Sequence, residues 1–263
     1  TAAAHVRAMR VARPGMTEYQ VEAELVHAFM SGGCRASAYA PIVGSGENGV
    51  ILHYTENRDP LRDGDLLLID AGAEYEYYAA DITRTFPVNG RFTSPQRGLY
   101  ELVLEAQEAA IAKVRPGNHW NEPHEAAVAV ITRGLVDLGL LKGRVPRLVK
   151  EEAYKPFYMH RTGHWLGMDV HDVGDYKVDG EWRVLEPGMT MTVEPGLYVA
   201  PGARGVPRRW WGIGIRIEDD VLVTRDGCEV LTRAVPKTVA DIEAVMASAG
   251  AVASERKHLP REG

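Results

Sequence analysis

Two stretches of this chain decide its fold: Asp63-Gly-Asp-Leu-Leu-Leu-Ile-Asp-Ala-Gly72 and Pro187-Gly-Met-Thr-Met-Thr-Val-Glu-Pro-Gly196. In both, an apolar run typical of a buried strand lies between two glycines. Each run ends on a carboxylate, Asp70 in the first stretch and Glu194 in the second. Because the two stretches overlay residue by residue, they indicate two related halves of one protein.

A second acid follows each stretch within residues of strand character. Asp81 comes after the first stretch, and Glu218 comes after the second. A charge at the edge of an apolar core needs a partner, and an arginine such as Arg84 is one candidate. With two inward-facing acids in each half, the four carboxylates would repel one another unless cations lie between them.

Histidines add a second kind of ligand to these four acids. His164 lies between the two halves, and four carboxylates with one imidazole can hold two divalent cations, which points to hydrolysis. Such oxygen-rich ligation suits Mn²⁺, Co²⁺ or Fe²⁺, and Zn²⁺ is not excluded. Three more histidines, His53, His160 and His171, are candidates for binding substrate or moving protons.

The composition narrows the class of protein. The 263 residues are 45% hydrophobic and 25% charged, as in an ordinary globular protein, and a net charge of −6 argues against a nucleic-acid partner. No apolar run reaches the roughly 18 residues of a membrane helix. Cys34 and Cys228 form no CxxC pattern, which favours a reducing cytoplasm. The chain starts at Thr1 rather than Met, so we expect a piece excised or processed from a longer protein.

The order of predicted elements repeats. The first set has helices up to Val11 and over 17–32, then strands near 40–43, 50–53, 66–71 and 77–86. The second set has helices near 94–114 and 123–138, then strands near 165–171, 189–193 and 213–223, with a closing helix near 239–249. Residues 143–156 are expected to be irregular. This repetition predicts two pseudo-symmetric helix-helix-strand halves in one domain.

These motifs resemble a known family. The chain is similar to the pita-bread metallopeptidases, and within them to the proline-specific branch of Xaa-Pro aminopeptidases (aminopeptidase P). The segments that carry the resemblance are Gly44-Ser-Gly-Glu-Asn48, His53-Tyr-Thr-Glu-Asn57, Asp81-Ile-Thr-Arg-Thr-Phe86, Gly163-His-Trp-Leu-Gly167, Val170-His-Asp-Val-Gly174 and Gly212-Ile-Gly-Ile-Arg-Ile-Glu-Asp219. The resemblance as a whole runs from about Val11 to about Met246.

The resemblance implies a fold, a reaction and a set of roles. The fold is α+β, with a curved, mostly antiparallel sheet covered by helices, and residues 1–263 form a single catalytic domain without the family's N-terminal domain. The reaction removes the first residue of peptides with proline second, through a hydroxide held between two divalent ions, Mn²⁺ above all. The implied metal ligands are Asp70, Asp81, His164, Glu194 and Glu218, and the implied catalytic residues are His53, His160, His171, Glu194 and Arg216.

Several alternatives stay open at this stage. A prolidase, which cleaves Xaa-Pro dipeptides, would share all five ligands. A non-catalytic binding module on the same fold would have lost some of the metal ligands. A methionine aminopeptidase would lack the sequence segment from His164 to Gly174. Lys177 and Arg183 are both candidates for a basic residue that contacts substrate. A homo-oligomer is left open, and residues 250–263 are expected to be a flexible tail.

Overall fold

The computed structural model describes the backbone of residues 1–256 and the side chains of residues 1–248. Its helices are α1 Ala2–Val11, α2 Glu18–Ser31, α3 Ser94–Ile111, α4 Glu122–Asp137, α5 Val145–Lys150 and α6 Val239–Arg256. Part of the expected flexible tail, residues 257–263, lies outside the described residues, whereas residues 250–256 continue α6 beyond its predicted end.

The strands are short. They are β1 Ala36–Ser37, β2 Ile42–Ser45, β3 Leu66–Asp70, β4 Ala73–Tyr75, β5 Tyr78–Ala79, β6 Thr83–Pro87, β7 Lys177–Val178, β8 Glu181–Trp182, β9 Thr190–Val193, β10 Gly196–Val199, β11 Ile213–Arg216, β12 Asp219–Val223 and β13 Cys228–Val230. Every pairing among the described strands is antiparallel. Two sheets matter most for function, β2-β3-β6 from the first half and β13-β12-β9 from the second.

Capping boxes explain where α2 and α3 begin. The side-chain oxygen of Gln20 accepts the Thr17 N–H at 3.0 Å, and that of Gln96 accepts the Thr93 N–H at 2.9 Å. Gln96 also donates to the carbonyl of Gly64, 2.8 Å away, at the turn before β3. The start of α3 is therefore tied to the strand that ends in Asp70.

The two halves meet along β6 and β11. The Glu218 N–H donates to the carbonyl of Thr83 at 3.1 Å, and the Thr85 hydroxyl donates to the carbonyl of Arg216 at 3.0 Å. Arg84 crosses the same junction and pairs with Asp219 at 2.7 Å, with both side chains fully buried. Arg84 is therefore not the partner of Asp70 or Asp81; an arginine does pair with Asp70, but it is Arg216.

Five sequence-based predictions need correction. Residues 50–53 are not a strand: Val50 ends the 3₁₀ turn Gly46–Val50, and residues 51–53 form a bend and a turn. Residues 165–171 make one isolated bridge, Trp165 with Met191. The predicted strand 213–223 is broken at residues 217–218, and 77–86 is broken at 80–82. Residues 143–156, expected to be irregular, contain α5.

The core lies between the helices and the sheets. Val21, Leu25 and Phe29 of α2 are buried at a four-residue spacing, as an amphipathic helix requires. All five residues of β3 are buried, which explains why the four residues before Asp70 are continuously apolar rather than alternating. Among the described residues, no helix combines the length and the apolarity needed to cross a bilayer.

Candidate metal centre

A cavity of about 170 Å³ lies at the junction of the two halves. All nine residues proposed from the sequence line it, together with two that were not proposed. The lining residues are Leu52, His53, Asp70, Asp81, His160, Arg161, His164, His171, Glu194, Arg216 and Glu218. The folded chain therefore brings together residues that are up to two thirds of the sequence apart.

Asp70 and Asp81 lie on the first-half wall. Asp70 is the last residue of β3, and Asp81 comes just before β6, the strand that pairs with β3. The Tyr39 hydroxyl is 2.6 Å from Asp70 Oδ1 and also within hydrogen-bond distance of Asp81 Oδ1. A phenol has one proton to donate, so it bridges the acids by donating to one at a time. Asp220 also accepts the Asp81 N–H at 3.1 Å, which fixes the backbone there.

Glu194 and Glu218 come from the second half. Glu194 directly follows β9, and Glu218 lies between β11 and β12, where antiparallel pairing brings the two strand ends together. Glu218 accepts a 2.6 Å hydrogen bond from the Thr83 hydroxyl of β6. Each half thus supplies two acids to a shared space.

Crowding of these acids alters their titration. Burial and then the neighbouring carboxylates raise the pKa of Glu218 well above its usual range, and burial with the charges of Asp81 and Asp70 raises that of Glu194 to about 8. Burial and the charge of Asp70 also raise the pKa of Asp81. Asp70 behaves differently: burial opposes its ionisation, but the charge of Arg216 and hydrogen bonds outweigh burial and lower its pKa.

His164 faces the acids with the nitrogen that a metal would use. Its Nδ1 is 2.9 Å from the carbonyl of Trp165, which accepts the Nδ1 proton, so Nε2 points at Asp81 Oδ2, 3.3 Å away, and Glu194 Oε1, 3.8 Å away. Burial disfavours its charged form, but the hydrogen bond to Asp81 and the charge of Glu194 raise its pKa to about 9. A proton on Nε2 therefore occupies the position that a cation would take.

The donor set fits divalent cations. Asp81, His164 and Glu218 each offer a ligand atom, and the three atoms lie within 4.8 Å of one another. Asp70 and Glu194 line the same cavity. Among the four acids, Asp70 alone has an arginine partner, Arg216, at 2.6 Å. The remaining negative charge needs a positive group, and oxygen ligands with one imidazole match divalent ions of the first transition row.

A hydrogen-bonded chain runs along one side of the cavity. Arg216 donates from Nη2 to Asp70 and from Nη1 to the Tyr198 hydroxyl at 2.9 Å. The Tyr198 hydroxyl lies 2.9 Å from His160 Nε2, and His160 Nδ1 lies 2.7 Å from the carbonyl of Arg161. Because that carbonyl can only accept, Nδ1 carries the proton and Nε2 accepts from Tyr198. Burial and the charge of Arg216 lower the pKa of His160 to about 3, so it is neutral.

His53 and His171 stand at the mouth of the cavity rather than among the acids. The ring of His171 packs edge-on against that of His164 with centroids 4.4 Å apart. Burial and the charge of His164 lower the pKa of His171. His53 is exposed just after the 3₁₀ turn and lines the cavity beside Leu52. Both rings are thus available to a ligand in the opening.

The sequence analysis missed two cavity residues and did not decide which basic residue contacts the substrate. Arg161 and Leu52 line the cavity, whereas neither Lys177 nor Arg183, the two basic candidates, does so. Arg161 follows His160 in the histidine-rich segment, and the candidate histidines on either side of it could have indicated that it lines the cavity. Tyr198, in β10, carried no signal, because a tyrosine on a buried strand is also an ordinary core residue.

Comparison with known proteins gives a consistent result. The family model described as metallopeptidase family M24 matches residues 1–225. The chain is 56% identical to an Xaa-Pro aminopeptidase of Escherichia coli over 249 residues, which cover 95% of this chain and 56% of that protein. It is 40% identical to a human Xaa-Pro dipeptidase, over 93% of this chain and 56% of that protein.

The solved structures agree. Pseudomonas aeruginosa aminopeptidase PepP has 64% sequence identity and superposes with a TM-score of 0.95, over 95% of this chain and 57% of that chain. The predicted α+β, pita-bread architecture is thereby confirmed. The chain spans a little over half the length of the relatives it matches. The extent of the family match and these identities show that the chain belongs to metallopeptidase family M24.

Proposed function

We propose that this chain is the catalytic part of a metal-dependent aminopeptidase that removes the first residue from peptides with proline at the second position. The observation that carries the proposal is the meeting of two acids from each half around the Nε2 of His164. The similarity of this chain to Xaa-Pro aminopeptidases supports the choice of substrate.

Five residues would hold two divalent ions, which we propose to be Mn²⁺: Asp70, Asp81, His164, Glu194 and Glu218. When bound, such ions acidify a water molecule to a pKa of about 7 and polarise the scissile carbonyl. The protein prepares the ligands for this role. The carbonyl of Trp165 sets the His164 tautomer, Arg216 orients Asp70, and the Thr83 hydroxyl orients Glu218.

The other cavity residues would handle the substrate. We assign to His53 and His171, at the mouth, hydrogen bonds that steady the substrate carbonyl and the tetrahedral intermediate. Glu194 lies 3.8 Å from both His160 Nδ1 and His164 Nε2, so it is placed to carry a proton to the departing proline nitrogen. His160, held neutral between Tyr198 and the carbonyl of Arg161, would contact the proline side.

A proline bond explains why such a site is useful. The bond to proline has no N–H and carries a ring on nitrogen, so a peptidase that grips that N–H fails there. A cavity lined by acids and imidazoles recognises the carbonyl and the free amino group instead.

Two wider assignments complete the proposal. We propose a reducing cytoplasm as the compartment, since Cys34 and Cys228 are both free thiols. We leave self-association as an open part of the proposal, to be settled by the mass of the protein in solution.

A substrate panel tests the proposed function. The native protein, first stripped with a chelator and then reloaded with Mn²⁺, is offered Arg-Pro-Pro, the dipeptide Arg-Pro and the control Arg-Ala-Pro. We expect metal-dependent release of arginine from Arg-Pro-Pro and none from Arg-Ala-Pro. Faster hydrolysis of Arg-Pro would favour a dipeptidase instead. Full cleavage of Arg-Pro-Pro by the stripped protein would refute the metal-dependent reaction.

A further inference from the structure

We propose that Glu18 is a positioning residue that holds His53 at the mouth of the metal cavity. The proposal rests on the proposed function, because it concerns how that site is built. Glu18 is the first residue of α2 and touches nothing in the cavity itself. It acts through residues 45–59, the segment whose tip carries Leu52 and His53.

The Glu18 carboxylate is fully buried and accepts four hydrogen bonds, all from this segment. Oε1 accepts from the Ser45 N–H at 2.7 Å and from Asn48 Nδ2 at 3.0 Å. Oε2 accepts from the Tyr54 hydroxyl at 2.7 Å and from the Asp59 N–H at 2.9 Å. None of the four donors is a lysine or arginine, so the negative charge is stabilised by oriented dipoles alone.

Regular structure gives this segment little support of its own. After β2 ends at Ser45, the chain makes the 3₁₀ turn Gly46–Val50. Residues 51–59, which include a turn at Leu52 and His53, are in neither helix nor strand. The Ile51 N–H donates to the carbonyl of Asn48 within the turn. The Glu18 carboxylate is therefore the point at which both ends and the middle of the segment converge.

The opposite side of the segment rests on the second half of the protein. A Cβ added to Gly214 in β11 would lie 2.0 Å from the carbonyl oxygen of Gly49, so the two backbones are in close contact. The same strand ends at Arg216, which holds Asp70. The segment is thus clamped between Glu18 and β11, which fixes the tip relative to the metal cluster.

Replacement of the carboxylate by an amide is expected to release the tip. In Glu18→Gln, one acceptor becomes an NH₂ group that meets two donors, so two of the four hydrogen bonds are lost while the side-chain shape is kept. Catalytic groups are sensitive to displacements of about 1 Å, which can cost about 100-fold in rate. A shift of His53 would weaken a contact made in the transition state, and kcat rather than KM would change.

The first experiment compares Glu18→Gln with the native protein on Arg-Pro-Pro, both loaded with Mn²⁺. We expect kcat to fall about 10- to 100-fold, with KM within about 2-fold and metal content unchanged. The matched control is Glu24→Gln on the same helix, which removes only the surface pair with Arg7. Native kcat in Glu18→Gln, or a loss of bound metal equal to the loss of activity, would overturn the proposal.

The second experiment is a double-mutant cycle with His53→Ala. If Glu18 acts through His53, Glu18→Gln lowers the kcat of His53→Ala by less than about 2-fold. The same loss in both backgrounds would overturn the proposal. Should Glu18→Gln fail to fold, Tyr54→Phe removes one donor to the carboxylate, and we expect a smaller loss that again vanishes in the His53→Ala background.

Hydrogen exchange separates this inference from the proposed function. In Glu18→Gln we expect the amides of residues 46–54 to exchange at least about 10-fold faster, with β3 and β9 unchanged. Unchanged exchange in residues 46–54 would refute the positioning role, whatever the native protein cleaves. If the native protein cleaves no Xaa-Pro peptide but the segment still loosens, the proposed function fails and the anchoring of His53 stands.

Discussion

The cavity residues fall into two groups that differ in what they touch. Asp81, His164 and Glu218 direct ligand atoms at one another, whereas His171 only packs its ring against His164. In the proposed function, the first group holds cations and the second contacts the substrate. The two groups should therefore respond differently to mutation.

Replacement of His171 by alanine tests this division. We expect His171→Ala to lower kcat on Arg-Pro-Pro about 100- to 1,000-fold, as for loss of one hydrogen-bond donor to a developing oxyanion, with bound Mn²⁺ unchanged. Elemental analysis and steady-state kinetics on the same preparation measure both quantities, and the exposed His27→Ala is the control. Equal losses of metal and turnover would show that His171 belongs with the ligands.

At this scale, the sequence predicted which acids meet but not how they are held. Asp70 and Glu194 were predictable because each ends an apolar strand, where a charge must find a partner. The hydrogen-bonded chain from Arg216 through Tyr198 to His160 was not predictable, because nothing in the sequence indicates that β10 lies beside the histidine-rich segment. The contact of the Tyr39 hydroxyl with both Asp70 and Asp81 appears only in the folded chain.

Helices and strands differ in how well the sequence predicts them. The starts of α2 and α3 are set by capping boxes, which depend on residues three apart and can be read locally. Residues 50–53 and 165–171 carry apolar side chains without forming strands: Trp165 and Leu166 are buried, whereas Ile51 and Met168 are exposed. Leu52 shows this: its apolar side chain lines the cavity from a turn.

A fully buried ion pair crosses the junction between β6 and β12. Arg84 donates to Asp219 at 2.7 Å and to the carbonyl of Glu218 at 2.6 Å, and Lys237 also reaches Asp219 at 2.9 Å. Removal of one partner from a buried pair leaves a charge that its surroundings no longer balance. The arginine thereby couples the two halves beside Glu218.

Replacement of Arg84 by methionine is therefore expected to lower the free energy of unfolding by about 3–5 kcal/mol. Urea denaturation of the metal-free protein measures this value. Arg91→Met, which breaks an exposed pair with Glu243, is the control and should cost no more than about 1 kcal/mol. A loss of less than 1 kcal/mol in Arg84→Met would show that Lys237 and the other donors hold Asp219 without it.

For the molecule as a whole, the acid cluster makes stability depend on pH. Glu194 and His164 have pKa values raised to about 8 and about 9, and that of Glu218 is also raised. A group whose pKa is higher in the folded protein contributes stability that is complete below its unfolded value, 4.5 for Glu194 and 6.5 for His164, and is lost as pH rises through its folded value. The metal-free protein should therefore lose stability between pH 7 and pH 9.

Other groups act in the opposite sense but mostly at lower pH. The buried His5 and the half-buried His124 and His160 have lowered pKa values, and their contribution to stability grows only up to about pH 6.5. The lowered pKa of the Thr1 amino group opposes the loss up to about pH 8. We expect the Tm of the chelator-treated protein to fall from pH 7 to pH 9. Saturating Mn²⁺ should flatten this slope, because cations replace the protons. A metal-free Tm that rises over this range would contradict the titration described.

The most direct measurement is a crystal structure of the native protein soaked in Mn²⁺, with anomalous scattering recorded. The account predicts two anomalous peaks in the cavity, both within about 2.0–2.6 Å of oxygen or nitrogen atoms drawn from Asp70, Asp81, His164, Glu194 and Glu218. Crystals of Asp81→Asn should lose at least one of them. An empty cavity in the soaked native crystal, or peaks bound by other residues, would contradict it.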